Sequence, residues 1–358
     1  MLSKIQVKNF RGLRNATIDG LKRVNIITGE NGAGKTSLLE AAFLLGGAAN
    51  AGLTLSLFSF RNDTTITPDS DRMFKGLFRY LDPTITVELT AEETARNGSS
   101  KKKRKLVIKP IISREEATGS TTPKKKISGV VYEFDGPSGR NTSSLQWTTR
   151  EDSSSQGAKR VVSLKAETAR NPDLTQGYFL SPRREVWEEA HKLLTDLTKA
   201  NKVQEVVKHM RMIDSRLQNL LPLSEDGVNV IYADVGAPSL MPASLQGSGF
   251  GNVLQIVLDS FSSVDGMLMI DEVEDGLHHS VIDKLIRYLF FICNFNKLQI
   301  FITTHSEEIL GRFASLSQSE RFSDLGLFRV VSGETSEQVN SYTVEDLISS
   351  RETQLELR

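Results

Sequence analysis

Apolar and polar positions alternate at the start of the chain, where Ile5 and Val7 stand between Lys4, Gln6 and Lys8. This period of two predicts a half-exposed strand that ends near Phe10. After a turn at Arg11-Gly12, a second strand-like run closes on Val24-Asn25-Ile26-Ile27. The stretch from Ala41 to Phe60 carries no charge, but Gly46, Gly47, Asn50 and Gly52 interrupt it. It therefore predicts a buried helix and a turn, not a membrane span. In residues 61–83, Met73, Leu77, Phe78 and Leu81 recur at helical spacing. From 84 to 150 the texture changes to short alternating runs, Thr84 to Leu89, Lys105 to Ile108, Gly129 to Phe134 and Ser144 to Trp147, separated by Gly, Ser, Thr and Lys. This pattern predicts an antiparallel meander. Residues 151–176 are polar and are expected to be mobile.

The second half changes period again. Tyr178-Phe179-Leu180-Ser181 reads as a strand stopped by Pro182, and residues 183–222 read as helical. Leu193, Leu194, Leu197, Val203, Val206, Val207, Met210, Ile213 and Leu217 recur there at spacings of three and four. Val228 to Tyr232 returns to strand. Two buried strands follow, one from Val264 to Ile270 and one from Leu298 to Thr303. The expected segments are 1–83, 84–176 for the meander, 177–235 for a compact helical arm, and 236–358.

Composition narrows the class without naming it. The 44 Lys and Arg balance 44 Asp and Glu, so any nucleic-acid surface has to be a local patch. Lys101 to Lys105 and Lys124 to Lys126 are expected in turns, as solvated hairpin tips or as contacts to a nucleic-acid backbone or a partner. No aromatics are interleaved with them, so base stacking is not indicated. The single cysteine, Cys293, excludes a disulfide framework and fits a reducing cytosol; its flanks Phe290, Phe291, Ile292 and Phe295 mark it as core. Lys4, Lys8, Arg11 and Arg14 interrupt any secretory signal.

Candidate chemistry sits where strands end. Gly29-Glu30-Asn31-Gly32-Ala33-Gly34-Lys35-Thr36 matches G-x-x-x-x-G-K-[ST] between an apolar run and a helical one. Its glycines turn backbone N–H groups inward as an anion nest at a helix N-terminus. Lys35 adds a point charge for the β and γ phosphates, and the Thr36 hydroxyl is placed for Mg²⁺. The strand ending in Asp271-Glu272 offers one acid to the metal's water shell and a second to the attacking water. Thr304-His305-Ser306 closes the next strand, where His305 reads as a γ-phosphate sensor. No Asn-Lys-x-Asp motif supports guanine specificity, and more than two hundred residues separate Lys35 from Asp271, against a simple switch GTPase.

Asn9-Phe10-Arg11-Gly12, the phosphate loop, Ser244-Leu245-Gln246-Gly247-Ser248-Gly249, Asp271-Glu272 with Glu274 to His278, and Thr304-His305-Ser306 arrive in one order. In this the chain resembles the ABC-type ATPases of the RecF, SMC and OLD (overcoming lysogenization defect) branch. Within that branch it looks like the small bacterial AAA15/AAA21-type ATPases often found in anti-phage defence operons. The resemblance implies an α/β P-loop NTPase fold of ABC-ATPase type: a mixed central sheet, an antiparallel β subdomain and a compact helical arm. It implies ATP and Mg²⁺ as cofactors and a nucleotide cradle of Glu30, Asn31, Gly32, Ala33, Gly34, Lys35, Thr36 and Ser37, approached by Asn9 and Arg11.

It also implies Thr36 and Asp271 for the metal, Glu272 as catalytic base, with Lys35 and His305 completing the catalytic set. Asp275 would sit at a dimer junction. Ser244, Gly247, Ser248 and Gly249 would act in trans on the nucleotide of a second copy, although the signature departs from the usual Leu-Ser-Gly-Gly-Gln. Gln176 is the candidate Q-loop residue by position. The expected protein is cytoplasmic, bound to no membrane, and a homodimer or higher homo-oligomer. Roughly 50 residues follow His305, too few for a nuclease domain, so an effector would act in trans. The alternative is a RecF-like DNA-binding ATPase in repair or recombination, using the basic turns.

Overall fold

The computed structural model describes residues 1–61, 71–94, 101–115, 124–152, 159–167, 171–182, 186–333 and 336–353. The strands are β1 Leu2–Phe10, β2 Leu13–Asp19, β3 Val24–Gly29, β4 Val87–Thr94, β5 Lys101–Glu115, β6 Lys124–Gly136, β7 Gly139–Asp152, β8 Lys159–Glu167 and β9 Gly177–Leu180. They continue as β10 Asn219–Glu225, β11 Val228–Asp234, β12 Met241–Pro242, β13 Met267–Ile270, β14 Gln299–Thr303, β15 Leu325–Val331 and β16 Gln338–Tyr342. The helices are α1 Lys35–Gly46, α2 Leu53–Ser59, α3 Arg72–Lys75, α4 Trp187–Lys199, α5 Val203–Arg211, α6 Ser248–Ser262, α7 His279–Phe295, α8 Glu307–Ser319 and α9 Val344–Thr353. The chain divides into two compact units. One holds Met1–Leu21, Glu30–Thr175 and Val330–Val339; the other holds Lys22–Gly29, Gln176–Arg329 and Asn340–Arg358.

In the first unit, seven strands form a sheet in the order β2-β1-β4-β5-β6-β7-β8, each pair antiparallel. Alternation places Ile5 and Val7, Val87 and Leu89, Leu106 and Ile108, and Tyr132 and Phe134 on the buried face. A register shift between Ile111 and Ile112, opposite Ser128, inserts an extra residue into β6. That bulge explains why the inward positions run through Ile127 and then switch to Val130, Tyr132 and Phe134.

One expectation changes here. Residues 101–105 and 124–126 lie inside β5 and β6, not in turns: Lys102, Lys103 and Lys105 are exposed on a strand that buries Arg104 and Leu106. Within residues 151–176, β8 pairs along β7 from Ser144↔Glu167 to Asp152↔Lys159 and adds a strand to the meander.

In the second unit a six-stranded sheet runs in the order β16-β15-β3-β14-β13-β9. Strands β3, β14, β13 and β9 are mutually parallel. They read as continuous apolar runs because both faces are covered: every residue of β13 and β14 is buried. Their side chains join one core with Leu254, Val257, Tyr288, Leu289 and Phe313. Helix α7 contacts β3 and β14, and α6 contacts β9.

The helical pattern expected over 183–222 stops early. Asp214 accepts from the Arg216 backbone N–H at 3.1 Å and pairs with its guanidinium at 2.8 Å, which turns the chain after α5. Residues 219–225 then pair with β11 through an Asp226-Gly227 turn at φ of 50° and 81°. Among the described residues, no helix is long and apolar enough to cross a membrane.

Candidate functional site

The chain leaves β3 at Gly29 into the glycine loop, and three backbone angles show why glycine is needed there. Gly29, Gly32 and Gly34 have φ of 146°, 82° and 98°. A Cβ on Gly34 would also stand 2.4 Å from Leu13 Cδ2. Gly34 caps α1 without a side chain, so the helix opens on backbone donors, the geometry that receives phosphate. Lys35 is buried and folds back over the loop, its Nζ donating to the Glu30 carbonyl at 3.0 Å. The Ala33 N–H closes the turn on the same carbonyl at 3.2 Å. Glu30, Asn31 and Gly32 are exposed, Thr36 is half-buried and Ser37 is buried.

Asn9 and Arg11 belong to the same unit. Asn9 donates from Nδ2 to the Thr86 carbonyl at 3.2 Å. Arg11 reaches α1, where its Nε lies 2.6 Å from Glu40 Oε2. Arg61 takes the other side of that carboxylate through Nε at 2.8 Å and Nη2 at 3.0 Å. Burial draws the Arg11 guanidinium down to about 10, with Glu40 pulling the other way.

The acidic edge is built entirely in the second unit. Parallel pairing sets Ile270 beside Ile302 and Thr303 beside Ile27. The ends of β13, β14 and β3 therefore share the carboxyl edge of one sheet, the edge at which α/β folds place ligands. The buried Thr303 hydroxyl organises both acids, donating to Asp271 Oδ1 at 2.6 Å and accepting the Glu272 N–H at 2.8 Å. Glu272 is held at φ 50°, a left-handed conformation of the kind found where function fixes a side chain's direction. One turn on, Glu274 Oε1 accepts from the Thr304 hydroxyl at 2.9 Å and from the His305 N–H at 3.1 Å. It also lies 3.1 Å from His305 Nδ1.

Sequence reasoning gave Thr303 no role and named Glu274 only within a motif, because only strand register reveals that they meet the acids and the histidine. Among the described residues no group of three or more His, Cys, Asp or Glu is placed to hold a metal. A buried carboxylate with one oxygen held by a threonine hydroxyl suits Mg²⁺ all the same, since that ion takes one or two protein oxygens and keeps several waters.

Ser244 sits in a short 3₁₀ turn and is exposed, as is Gly247, whose φ of 97° and ψ of 161° only glycine adopts readily. Ser248 opens α6, and Gly249 packs backbone to backbone on the segment after the acids: a Cβ there would stand 2.5 Å from the Gly276 carbonyl. Asn252 Nδ2 donates to the Asp275 carbonyl at 3.0 Å, and the Asp275 N–H donates to the Glu272 carbonyl at 2.9 Å.

Gln176 needs correction. It precedes Gly177, which pairs with Met267, and so it stands at the amino edge of the sheet, away from the acids. Within the basic stretch 101–105, Arg104 and Lys105 have carboxylate partners. Arg104 is buried, with its Nε 2.6 Å from Glu93 and Nη1 donating to the Asp173 carbonyl at 2.6 Å. Lys105 pairs with Glu88, and Lys109 with Glu133. Cys293 is core, as its neighbours indicated, and burial pushes its thiol up to about 12.

Comparison with known proteins places these features in a family. A family model described as "AAA domain, putative AbiEii toxin, Type IV TA system" matches residues 24–311. An ATP/GTP phosphatase of Helicobacter pylori is 27% identical over 334 residues, 87% of this chain and 86% of that protein. The DNA replication and repair protein RecF of Shewanella frigidimarina is 34% identical over 102 residues, which are 26% of this chain and 28% of RecF. The structure of an Smc head bound to the C-winged helix domain of ScpA shares the fold, with a TM-score of 0.51 and 11% identity over 97% of this chain and 99% of that one. With the phosphate loop, the parallel sheet and its acid-bearing edge all inside the matched span, the chain belongs to this AAA_21 family and is an ABC-type ATPase of the RecF and SMC branch.

Proposed function

We propose that this chain is an ATP-hydrolysing switch that dimerises around ATP and governs a separately encoded effector, a nuclease or toxin, in anti-phage defence. The observation that carries the ATPase reading is the single Thr303 hydroxyl that fixes Asp271 and Glu272 at the sheet edge where β3 enters the phosphate loop. Glu30 to Ser37 cradle the phosphates, with Lys35 on the β and γ groups. Thr36 and Asp271 would hold Mg²⁺, which when bound offsets the charge of the phosphates. Glu272 accepts a proton from water as its oxygen attacks the γ phosphorus, and the bond to the β-γ bridging oxygen breaks to leave ADP and phosphate. His305 presents Nε2 to a γ oxygen while Glu274 holds Nδ1.

Ser244 and the Gly247 to Gly249 turn close over the nucleotide of a second copy. The exposure of Ser244 and Gly247, and the tie from α6 through Asp275 to Glu272, support that reading. The family description, with its toxin–antitoxin reference, supports an effector in trans. The RecF-like DNA-binding alternative has less support, because Arg104 and Lys105 of the basic stretch are paired with Glu93 and Glu88.

In the decisive experiment, Lys35→Ala abolishes ATP hydrolysis. Glu272→Gln slows it by about a hundredfold or more while retaining ATP binding. Light scattering with Mg·ATP then finds the Glu272→Gln protein as a dimer. A monomer under those conditions removes the trans role, and copurification of the bare ATPase from its native operon removes the effector.

A further inference from the structure

Among the described residues, four of the non-glycine positions with positive φ gather in one place in the first unit: Asn9 at 58°, Arg11 at 53°, Tyr80 at 54° and Leu81 at 60°. The segment 77–81 is tied to the end of β1 by the Arg11 N–H on the Leu77 carbonyl at 3.1 Å and by a bridge between Phe10 and Phe78. Two residues on, Leu13 fills the space beside Gly34 of the phosphate loop. Strained backbone of this kind persists where the surroundings fix it, and it concentrates at ligand clamps.

What the strain presents is an aromatic ring in solvent. Tyr80 is 74% exposed and Leu81 57% exposed, in a protein that buries most of its large apolar side chains. The ring is held still. The Arg79 guanidinium lies over it, 4.1 Å from the centroid, and donates from Nη2 to the Tyr80 hydroxyl at 2.6 Å. The turn beneath is closed by Leu81 N–H to the Phe78 carbonyl at 3.1 Å and Asp82 N–H to the Arg79 carbonyl at 3.0 Å. Thr84 then pins Asp82 through its N–H at 2.9 Å and its hydroxyl at 2.7 Å.

We propose that Tyr80, backed by Arg79, is the seat on which the purine base of the bound nucleotide stacks. The inference rests on the phosphate-loop reading above and adds the base to it. A flat ring offered to solvent next to the strand that backs the loop matches the flat face of a nucleobase, and a guanidinium stacked behind it strengthens such a pair. Stacking engages the π-face that every base has, so this seat supplies affinity without choosing between adenine and guanine.

The test is equilibrium binding of ATP, GTP and inorganic tripolyphosphate to the full chain. Tyr80→Ala weakens ATP and GTP together by about tenfold and leaves tripolyphosphate unchanged, while Tyr80→Phe restores both nucleotides. Tyr80→Trp gives a fluorescence signal that responds to ATP but not to tripolyphosphate. ATP binding by Tyr80→Ala at wild-type strength overturns the proposal, as does a parallel loss of tripolyphosphate, which would make the ring a prop for the loop. Lys35→Ala, measured alongside, separates the two readings. If it loses all three ligands while Tyr80→Ala loses none, the phosphate loop stands and the base seat falls.

Discussion

Thr303 carries two jobs on one oxygen, and neither is visible from its place in the chain. Thr303→Val keeps the shape of the strand and removes the hydroxyl, so the fold should persist while Asp271 and the Glu272 backbone lose their common anchor. Turnover of Mg·ATP is expected to fall by about tenfold or more, with urea stability little changed; equal turnover would show that the acids hold themselves. His209 bears on stability in another way. It is buried among Phe261, Phe291 and Phe295 and its Nδ1 lies 3.2 Å from the Tyr288 hydroxyl. Burial first, and then the Lys208 charge, lowers its pKa from the ordinary 6.5, against a weaker pull from Glu205. The unfolded chain therefore binds the proton more readily. The stabilisation is complete above about 6.5 and is lost as pH falls through the window beneath it. Urea midpoints measured between about pH 7 and pH 5 should drop, and His209→Phe should flatten that drop. The placement of Lys35 at the head of α1 and of Asp271 at the end of β13 was legible from the motifs. The contacts of Thr303 and Glu274 and the exposure of Tyr80 were not, because they come from register and backbone angle.

Helix α1 is fastened from behind. Glu40 is wholly buried and faces Arg11 and Arg61, so Glu40→Ala leaves a buried guanidinium without its counter-charge. Denaturant unfolding should show a loss of about 3 kcal/mol, whereas Arg61→Ala, at the exposed side of the pair, should cost less. Elements whose period was clean could be read from the chain: the alternation of β1, the apolar runs of β3, β13 and β14, and the uncharged run from Ala41 that completes α1. The errors share a cause. Lysine-rich stretches look like turns, yet in β5 every second position, Arg104, Leu106 and Ile108, faces inward. Leu217 extended a helical count that Asp214 had already ended, and the Asp226-Gly227 hairpin signal went unused. Tertiary pairing decides such short segments, and spacing alone does not.

Over the whole sequence charge is balanced, and on the long strands Lys105 pairs with Glu88 and Lys109 with Glu133, which weakens the case for a polyanion groove there. Replacing Lys102, Lys103 and Lys105 together with Ser should leave DNA retention in a filter assay unchanged at every salt concentration; a shallower salt slope would revive the repair reading. The likeness to the Smc head was foreseeable from the order of the motifs, whereas the division into two interleaved units was not, since no composition break marks it. That interleaving has a temporal side. Most strands of the first unit find partners close by in the chain, but β3, which belongs to the second, waits for β14 and β15, almost three hundred residues later. During synthesis its apolar run leaves the ribosome early and stays without its neighbours until nearly the end. The nascent protein should therefore depend on chaperone cover, and slow translation should harm it more than most.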